Sequence, residues 1–182
     1  MHISLIGLPG CGKSTVGRLL ARRLGLGFTD SDQVIEQRIG CSIRLFFEQQ
    51  GEDAFRDMEE AVLDELTAGT TPAVLSTGGG AVLRPANRLH LHNRSWVVYL
   101  HTLPEDISRR LRHDTTRPLL QVEDPLQRLC ELYAQRNPLY RETAHYVVET
   151  RRPTVAGLVN MLAMQLELAG MPASQAAAVL RR

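Results

Sequence analysis

Ile3, Leu5 and Ile6 form a short apolar run that ends at Gly7 and Pro9, the mark of a buried strand. Val16, Leu19, Leu20 and Leu24 then recur at helical spacing, and Gly25 supplies a stop. Phe28-Thr29 predicts a second, very short strand. From Ser31 to Leu66 the pattern is one of helical pieces separated by Gly40 and Gly51. Its clearest part places Phe55, Met58, Val62, Leu63 and Leu66 on one helix face. Ala73-Val74-Leu75-Ser76 predicts a third strand, ended by Gly78-Gly79-Gly80. A helix from about Pro85 to Asn93 leads to the strand Trp96-Val97-Val98-Tyr99-Leu100, and Ile107 and Leu111 suit a further helix. Residues 112–124 are polar and aperiodic and contain Pro118, which predicts a mobile loop. Leu126, Leu129, Leu132 and Tyr133 restore the helical period, Tyr146-Val147-Val148 predicts a last strand, and Val155 to Leu166 a closing helix. The Ala-rich residues from Met171 onward are expected to fray. Strands alternating with helices call for crossover connections, and hence for a mostly parallel sheet covered on both faces.

Composition narrows the function. The chain has 182 residues, 43% of them hydrophobic and 23% charged, which suits one globular domain. A formal net charge of +1 and 5% aromatic residues give no basic excess and few stacking platforms for nucleic acid. No apolar run approaches the roughly 18 residues of a membrane span, and no signal peptide precedes Gly7. Cys11, Cys41 and Cys130 are odd in number and scattered, which argues for reduced thiols in a cytoplasmic protein. Of the 21 basic residues only Lys13 is a lysine.

That lysine lies in Gly7-Leu8-Pro9-Gly10-Cys11-Gly12-Lys13-Ser14, which matches the phosphate-binding pattern GxxxxGK[ST] between a strand and a helix. Glycines let backbone N–H groups turn inward around phosphate oxygens, and the helix start adds partial positive charge. Lysine is a compact cation able to follow charge between the β- and γ-phosphates, and the Ser14 hydroxyl is placed to ligate Mg²⁺. Gly10, Cys11, Gly12, Lys13, Ser14 and Thr15 are therefore the expected ATP contacts. Cys11 carries two readings: a thiol activated by the helix N-terminus, or a small filler at a variable loop position. A dinucleotide fingerprint is excluded, because GxGxxG is absent.

Ordered pieces follow this loop. They are Asp30-Ser31-Asp32, Phe47, Gly51 through Phe55-Arg56, Gly78-Gly79-Gly80, Arg117-Pro118-Leu119-Leu120, and Arg136-Asn137-Pro138-Leu139-Tyr140 with Glu142 and Ala144. With them the chain resembles the shikimate kinase family over about residues 1–165. The resemblance implies a P-loop NTPase fold of the nucleoside monophosphate kinase type. That fold has three layers (α/β/α), a five-stranded parallel sheet of order 2-3-1-4-5 and a mobile lid. It implies a single domain over residues 1–168, with the lid at about 112–124 and a tail at 169–182. The activity implied is transfer of phosphate from ATP, with Mg²⁺, to the 3-hydroxyl of shikimate. The expected partners are ATP and shikimate, with no nucleic acid, no membrane and a monomeric chain.

The chemistry can be set against the residues. Phosphoryl transfer to a hydroxyl needs an oriented acceptor, and a carboxylate is the usual group to take its proton. Asp30 and Asp32 follow a predicted strand, and alternation along extended chain would aim both at one site. They also suit a helix N-cap. By resemblance Asp32 holds the acceptor hydroxyls and acts as base, while Asp30 lies nearer the hydrated Mg²⁺. Arginine forks suit a carboxylate, and the resemblance assigns Arg56 and Arg136 to that of shikimate. Arg56 is expected to project away from the core-facing stripe of its helix. Pro138 is expected to mark a helix boundary just after Arg136. Gly79 and Gly80 would contribute backbone N–H groups. Arg117 is the expected lid cation for the transferring phosphoryl group. Arg110 and Arg152 resemble the adenine-side positions, with Arg151 an alternative to Arg152. Two competing readings keep the fold: another acceptor such as gluconate or a nucleoside monophosphate, and a catalytically silent shikimate-sensing module.

Overall fold

The structure is a computed structural model that describes residues 1–111, 124–151 and 153–170. Five strands form one sheet: β1 (His2–Ile6), β2 (Gly27–Asp30), β3 (Ala73–Ser76), β4 (Ser95–His101) and β5 (Tyr146–Glu149). Their order is β2-β3-β1-β4-β5, and every neighbouring pair is parallel. β1 lies at the centre with all five residues buried, which explains its unbroken apolar reading. The helices are α1 (Lys13–Leu24), α2 (Ser31–Ile39), α3 (Ile43–Ala68), α4 (Pro85–Arg94), α5 (Pro104–Leu111), α6 (Pro125–Thr143) and α7 (Val155–Leu168). No helix among the described residues is long and apolar enough to cross a membrane.

The connection from β1 runs toward one sheet edge and those from β2, β3 and β4 toward the other. Right-handed crossovers therefore put α1 on one face and α3, α4 and α6 on the opposite one. The packing agrees, with α1 against α7, and α4 between α3 and α6. The reversal occurs at β1, so a crevice opens at the carboxyl ends of β1 and β3, where sheets of this type hold ligands. The main core joins β1, β4, α1, α6 and α7, and a second cluster centred on Ile35, Phe55 and Val62 ties α2 to α3.

Gly25 and Gly40 end α1 and α2 in left-handed geometry, as their positions in the pattern suggest. Gly51 kinks α3 with φ 82° and ψ 174°, a conformation for which glycine is suited. Two expectations need correction. Leu19 is exposed, because the core-facing stripe of α1 runs through Val16, Leu20 and Leu24 instead. Pro138 does not end a helix, since α6 continues through it to Thr143. Leu129 and Leu132 before the proline and Tyr140 after it are all buried, and that packing outweighs the lost backbone bond. Residues 112–123, which make up nearly all of the expected lid, and residues 171–182 of the tail lie outside the described residues.

Candidate active site

Gly12 precedes α1 in left-handed geometry, and no side chain caps this helix, so its first N–H groups face the crevice. Lys13 is buried. Its Nζ donates to the carbonyls of Gly7 (2.9 Å) and Leu8 (3.0 Å), folding the cation back over the loop. Gly10 is constrained from behind, since a Cβ there would lie 2.9 Å from Leu111 Cδ1. Cys11 is buried and packs beneath the loop, with Sγ 3.8 Å from Lys13 Nζ. A cleft of about 230 Å³ joins Gly10, Gly12, Lys13, Ser14 and Thr15 to Asp30, Asp32 and Gly79. All six expected loop residues thus stand together, with Cys11 serving as packing.

Ser14 Oγ donates to Asp30 Oδ2 at 2.7 Å and lies 3.2 Å from Ser76 Oγ. These are hard oxygen donors, the type Mg²⁺ prefers. Mg²⁺ keeps most of its shell as water and phosphate oxygen, so it does not need a dense protein cage. No group of three or more His, Cys, Asp or Glu suited to a metal occurs among the described residues. The Ser14–Asp30 pair fits the ion.

Asp30 and Asp32 do share the site, but not through strand alternation. β2 ends at Asp30, whose Oδ1 accepts from the Asp32 amide at 3.1 Å and caps α2. Asp32 is therefore the second residue of that helix, and its carboxylate is free of capping duty. Burial, and then the neighbouring Asp30, push its pKa up to about 6, against the opposing pull of Lys13. A carboxylate poised near neutral pH suits a general base.

Arg56 is on α3, yet it is buried rather than solvent-facing. Its Nη1 donates to Glu59 Oε2 at 2.6 Å and its Nη2 to Glu52 Oε1 at 3.1 Å, while its guanidinium lies over the rings of Phe47 and Phe55. Burial works against the cation, but the two glutamates more than offset it and hold the pKa above the usual value. Glu59 itself is buried, and burial raises its pKa more than Arg56 lowers it. Its second oxygen, Oε1, has no hydrogen-bond partner among the described residues.

The glycine turn after β3 closes the far side. A Cβ on Gly78 would lie 2.6 Å from Asp32 Oδ1, one on Gly79 2.7 Å from Pro9 Cδ, and one on Gly80 would overlap the Arg56 guanidinium. Arg136 reaches the same region from α6. It makes no ion pair among the described residues, and its buried Nε has no partner there. Burial lowers its pKa, Tyr140 supports the charge, and Arg56 opposes it, so the two guanidinium groups feel each other. Arg110 is on the last turn of α5, with Nη2 bonded to the Thr150 carbonyl at 3.1 Å, on the flank where Leu111 packs against Gly10. Arg117 and Arg152 lie outside the described residues, whereas Arg151 is 3.9 Å from Asp106 Oδ2.

Four participants escaped the sequence reading. Glu59 and Glu52 stand three and four positions from Arg56, the spacing of ion pairs along a helix, and that signal was available. Gly78 belongs to the triple glycine, but its tight contact with Asp32 and Glu59 needs the folded chain. Ser31 Oγ, which accepts from the Gly78 amide at 3.1 Å, had no signal beyond lying between the two aspartates.

A family model described as Shikimate kinase matches residues 9–167. The chain is 64% identical over 173 residues to the shikimate kinase of Paracidovorax citrulli, covering 94% of each chain. It is 55% identical over 176 residues to that of Ralstonia nicotianae, covering 97% of this chain and 92% of the relative. Among solved structures, the shikimate kinase of Acinetobacter baumannii in complex with shikimate superposes with a TM-score of 0.85 at 47% identity, covering 93% of each chain. The fold order, the phosphate loop and these full-length likenesses agree: the chain belongs to the shikimate kinase family.

Proposed function

We propose that the chain transfers the γ-phosphoryl group of ATP to the 3-hydroxyl of shikimate, releasing shikimate 3-phosphate and ADP, within chorismate and aromatic amino acid biosynthesis. The observation that carries this reading is Arg136. Among the described residues this half-buried guanidinium makes no ion pair, and it feels a second arginine, which calls for an anion from outside the chain. A small carboxylate acceptor supplies one, and arginine forks bind it bidentately.

The remaining roles follow from placement. Phosphates lie on the loop from Gly10 to Thr15, and Lys13 exchanges its carbonyl partners for phosphate oxygens. Ser14, supported by Asp30, would hold Mg²⁺, which would offset phosphate charge. Asp32 takes the proton of the 3-hydroxyl as its oxygen bonds to the γ-phosphorus and the bond to the ADP oxygen breaks. Arg56 and Arg136 hold the acceptor carboxylate, and Gly79 and Gly80 offer amides where any side chain would intrude. The neutralising role of Arg117, the lid at 112–124 and the adenine-side roles of Arg110 and Arg152 rest on the family resemblance. So does the division into a catalytic domain of residues 1–168 and a tail. The three cysteines are free, which supports a cytoplasmic setting, and the chain is proposed to act there as a monomer. A coupled assay of ADP release over a panel of acceptors tests the reading. Shikimate should be the preferred acceptor, and faster turnover of gluconate would overturn it.

A further inference from the structure

In the segment Arg136-Asn137-Pro138-Leu139-Tyr140, the tyrosine does more than support the charge of Arg136. Tyr140 is fully buried and packs against Tyr99, with ring centroids 4.9 Å apart. Its hydroxyl donates to the Gly79 carbonyl at 2.5 Å, across 61 positions of sequence. A bond of this length from a buried phenol to the wall of the acceptor pocket is more than packing requires.

The wall has a reason to need it. Position 79 must be glycine, because a Cβ there would run into Pro9 of the phosphate loop, and Gly78 and Gly80 are equally confined by Asp32, Glu59 and Arg56. A run of three glycines leaves the intervening peptides several orientations of similar energy. The peptide unit is planar and trans, so the Gly79 C=O and the Gly80 N–H point in opposite directions. A hydrogen bond that holds the first therefore aims the second. Tyr140 also lies one helical turn beyond Arg136, on the same face of α6. One side chain thus touches the glycine turn and stands beneath the arginine that faces it.

We propose that Tyr140 is a positioning residue of the acceptor pocket: its hydroxyl fixes the Gly79–Gly80 peptide so that the Gly80 amide is presented beside Arg56 and Arg136. The proposal rests on the carboxylate-acceptor reading given above. Without the bond the peptide samples other orientations, and apparent affinity falls by the fraction that remains competent.

Tyr140→Phe keeps the ring and its packing on Tyr99 and removes the bond to Gly79 together with the hydroxyl's support of Arg136. Its KM for shikimate should rise about tenfold, the worth of one good hydrogen bond, while the KM for ATP stays within about twofold. Replacing Tyr140 by p-aminophenylalanine, which retains a donor, should restore the wild-type KM. An unchanged KM for shikimate, or equal rises for both substrates, would overturn the proposal. The wild-type protein offers a second test that needs no variant to fold. Nitrogen-15 relaxation of the Gly80 amide, measured without acceptor, should show no millisecond exchange, and exchange there would show that the clamp does not hold. Wild-type protein that leaves shikimate unphosphorylated would refute the acceptor reading instead, and the relaxation measurement would still decide the clamp.

Discussion

Asp32→Asn should make the protein more stable and nearly inactive at once. Burial and the adjacent Asp30 raise the pKa of Asp32 from the usual value near 3.8 to about 6. At about 1.4 kcal/mol per tenfold change in proton affinity, holding the ionised form costs the fold about 3 kcal/mol at neutral pH. The sign follows from linkage: a carboxyl whose pKa is raised by folding favours the folded state below its unfolded pKa, and that advantage is lost as pH rises through about 6. Asparagine keeps the outline and discards the charge. For a chain of this size the melting temperature of Asp32→Asn should then exceed that of the wild type by about 6–12 °C at pH 7.5, and the gap should close toward pH 4. Turnover should fall by about 10²-fold or more, as when a general base is removed, with ATP binding retained. In the wild type, kcat/KM for shikimate should decline below about pH 6. Calorimetry of both proteins from pH 4 to 8, with ADP release measured in parallel, makes the comparison. A variant that is less stable at pH 7.5, or a gap independent of pH, would refute the argument that the site strains this carboxylate into readiness.

Three further outcomes are expected. Arg136→Ala removes a guanidinium that makes no ion pair among the described residues and should raise the KM for shikimate far more than that for ATP, with a loss of about 2–5 kcal/mol in acceptor binding; titration calorimetry with each ligand reads the difference. Lys13 is the only side-chain amine in the chain, so an amine-directed reagent should abolish activity through that residue and MgATP should protect it, as peptide mass mapping would show. Burial and the stacked His92 lower the pKa of His145, whose Nδ1 accepts from the Val97 amide at 3.1 Å. An unfolded histidine takes up its proton first, so this contribution to stability is complete above about pH 6.5 and is lost on acidification. His145→Asn should accordingly lose less stability than the wild type between pH 7 and 5 in chemical denaturation.

What was legible in the sequence was whatever local chemistry alone decides. The phosphate loop is written in contiguous glycines and one lysine, and buried parallel strands are unbroken apolar runs, so β1, β3 and β4 could be read directly. Gly25, Gly40 and Gly51 were equally plain, since each marks a backbone state suited to glycine. Local rules failed where distant segments decide. Pro138 promised a helix end, but buried side chains on both sides of it carry α6 onward. The two aspartates share one site because α2 starts between them, so the helix N-cap that they also suited aligns them, not the alternation of extended chain. Arg56 was legible as pointing away from the apolar stripe of its helix but not as enclosed, because the glycine turn closes over it from a distant part of the chain, beside Glu59 and Phe47 of α3. Glu59 carried a pairing signal, three positions from Arg56, but its burial was not legible, as a glutamate on a helix is ordinarily exposed.

The account stands on where the phosphoryl group goes. Incubating the protein with MgATP and shikimate and following the mixture by phosphorus and proton NMR identifies the product directly. A phosphate ester on the C3 oxygen, formed mole for mole with ADP, is the predicted result. Phosphate on another hydroxyl, ADP appearing only with free phosphate, or no ester at all would contradict it.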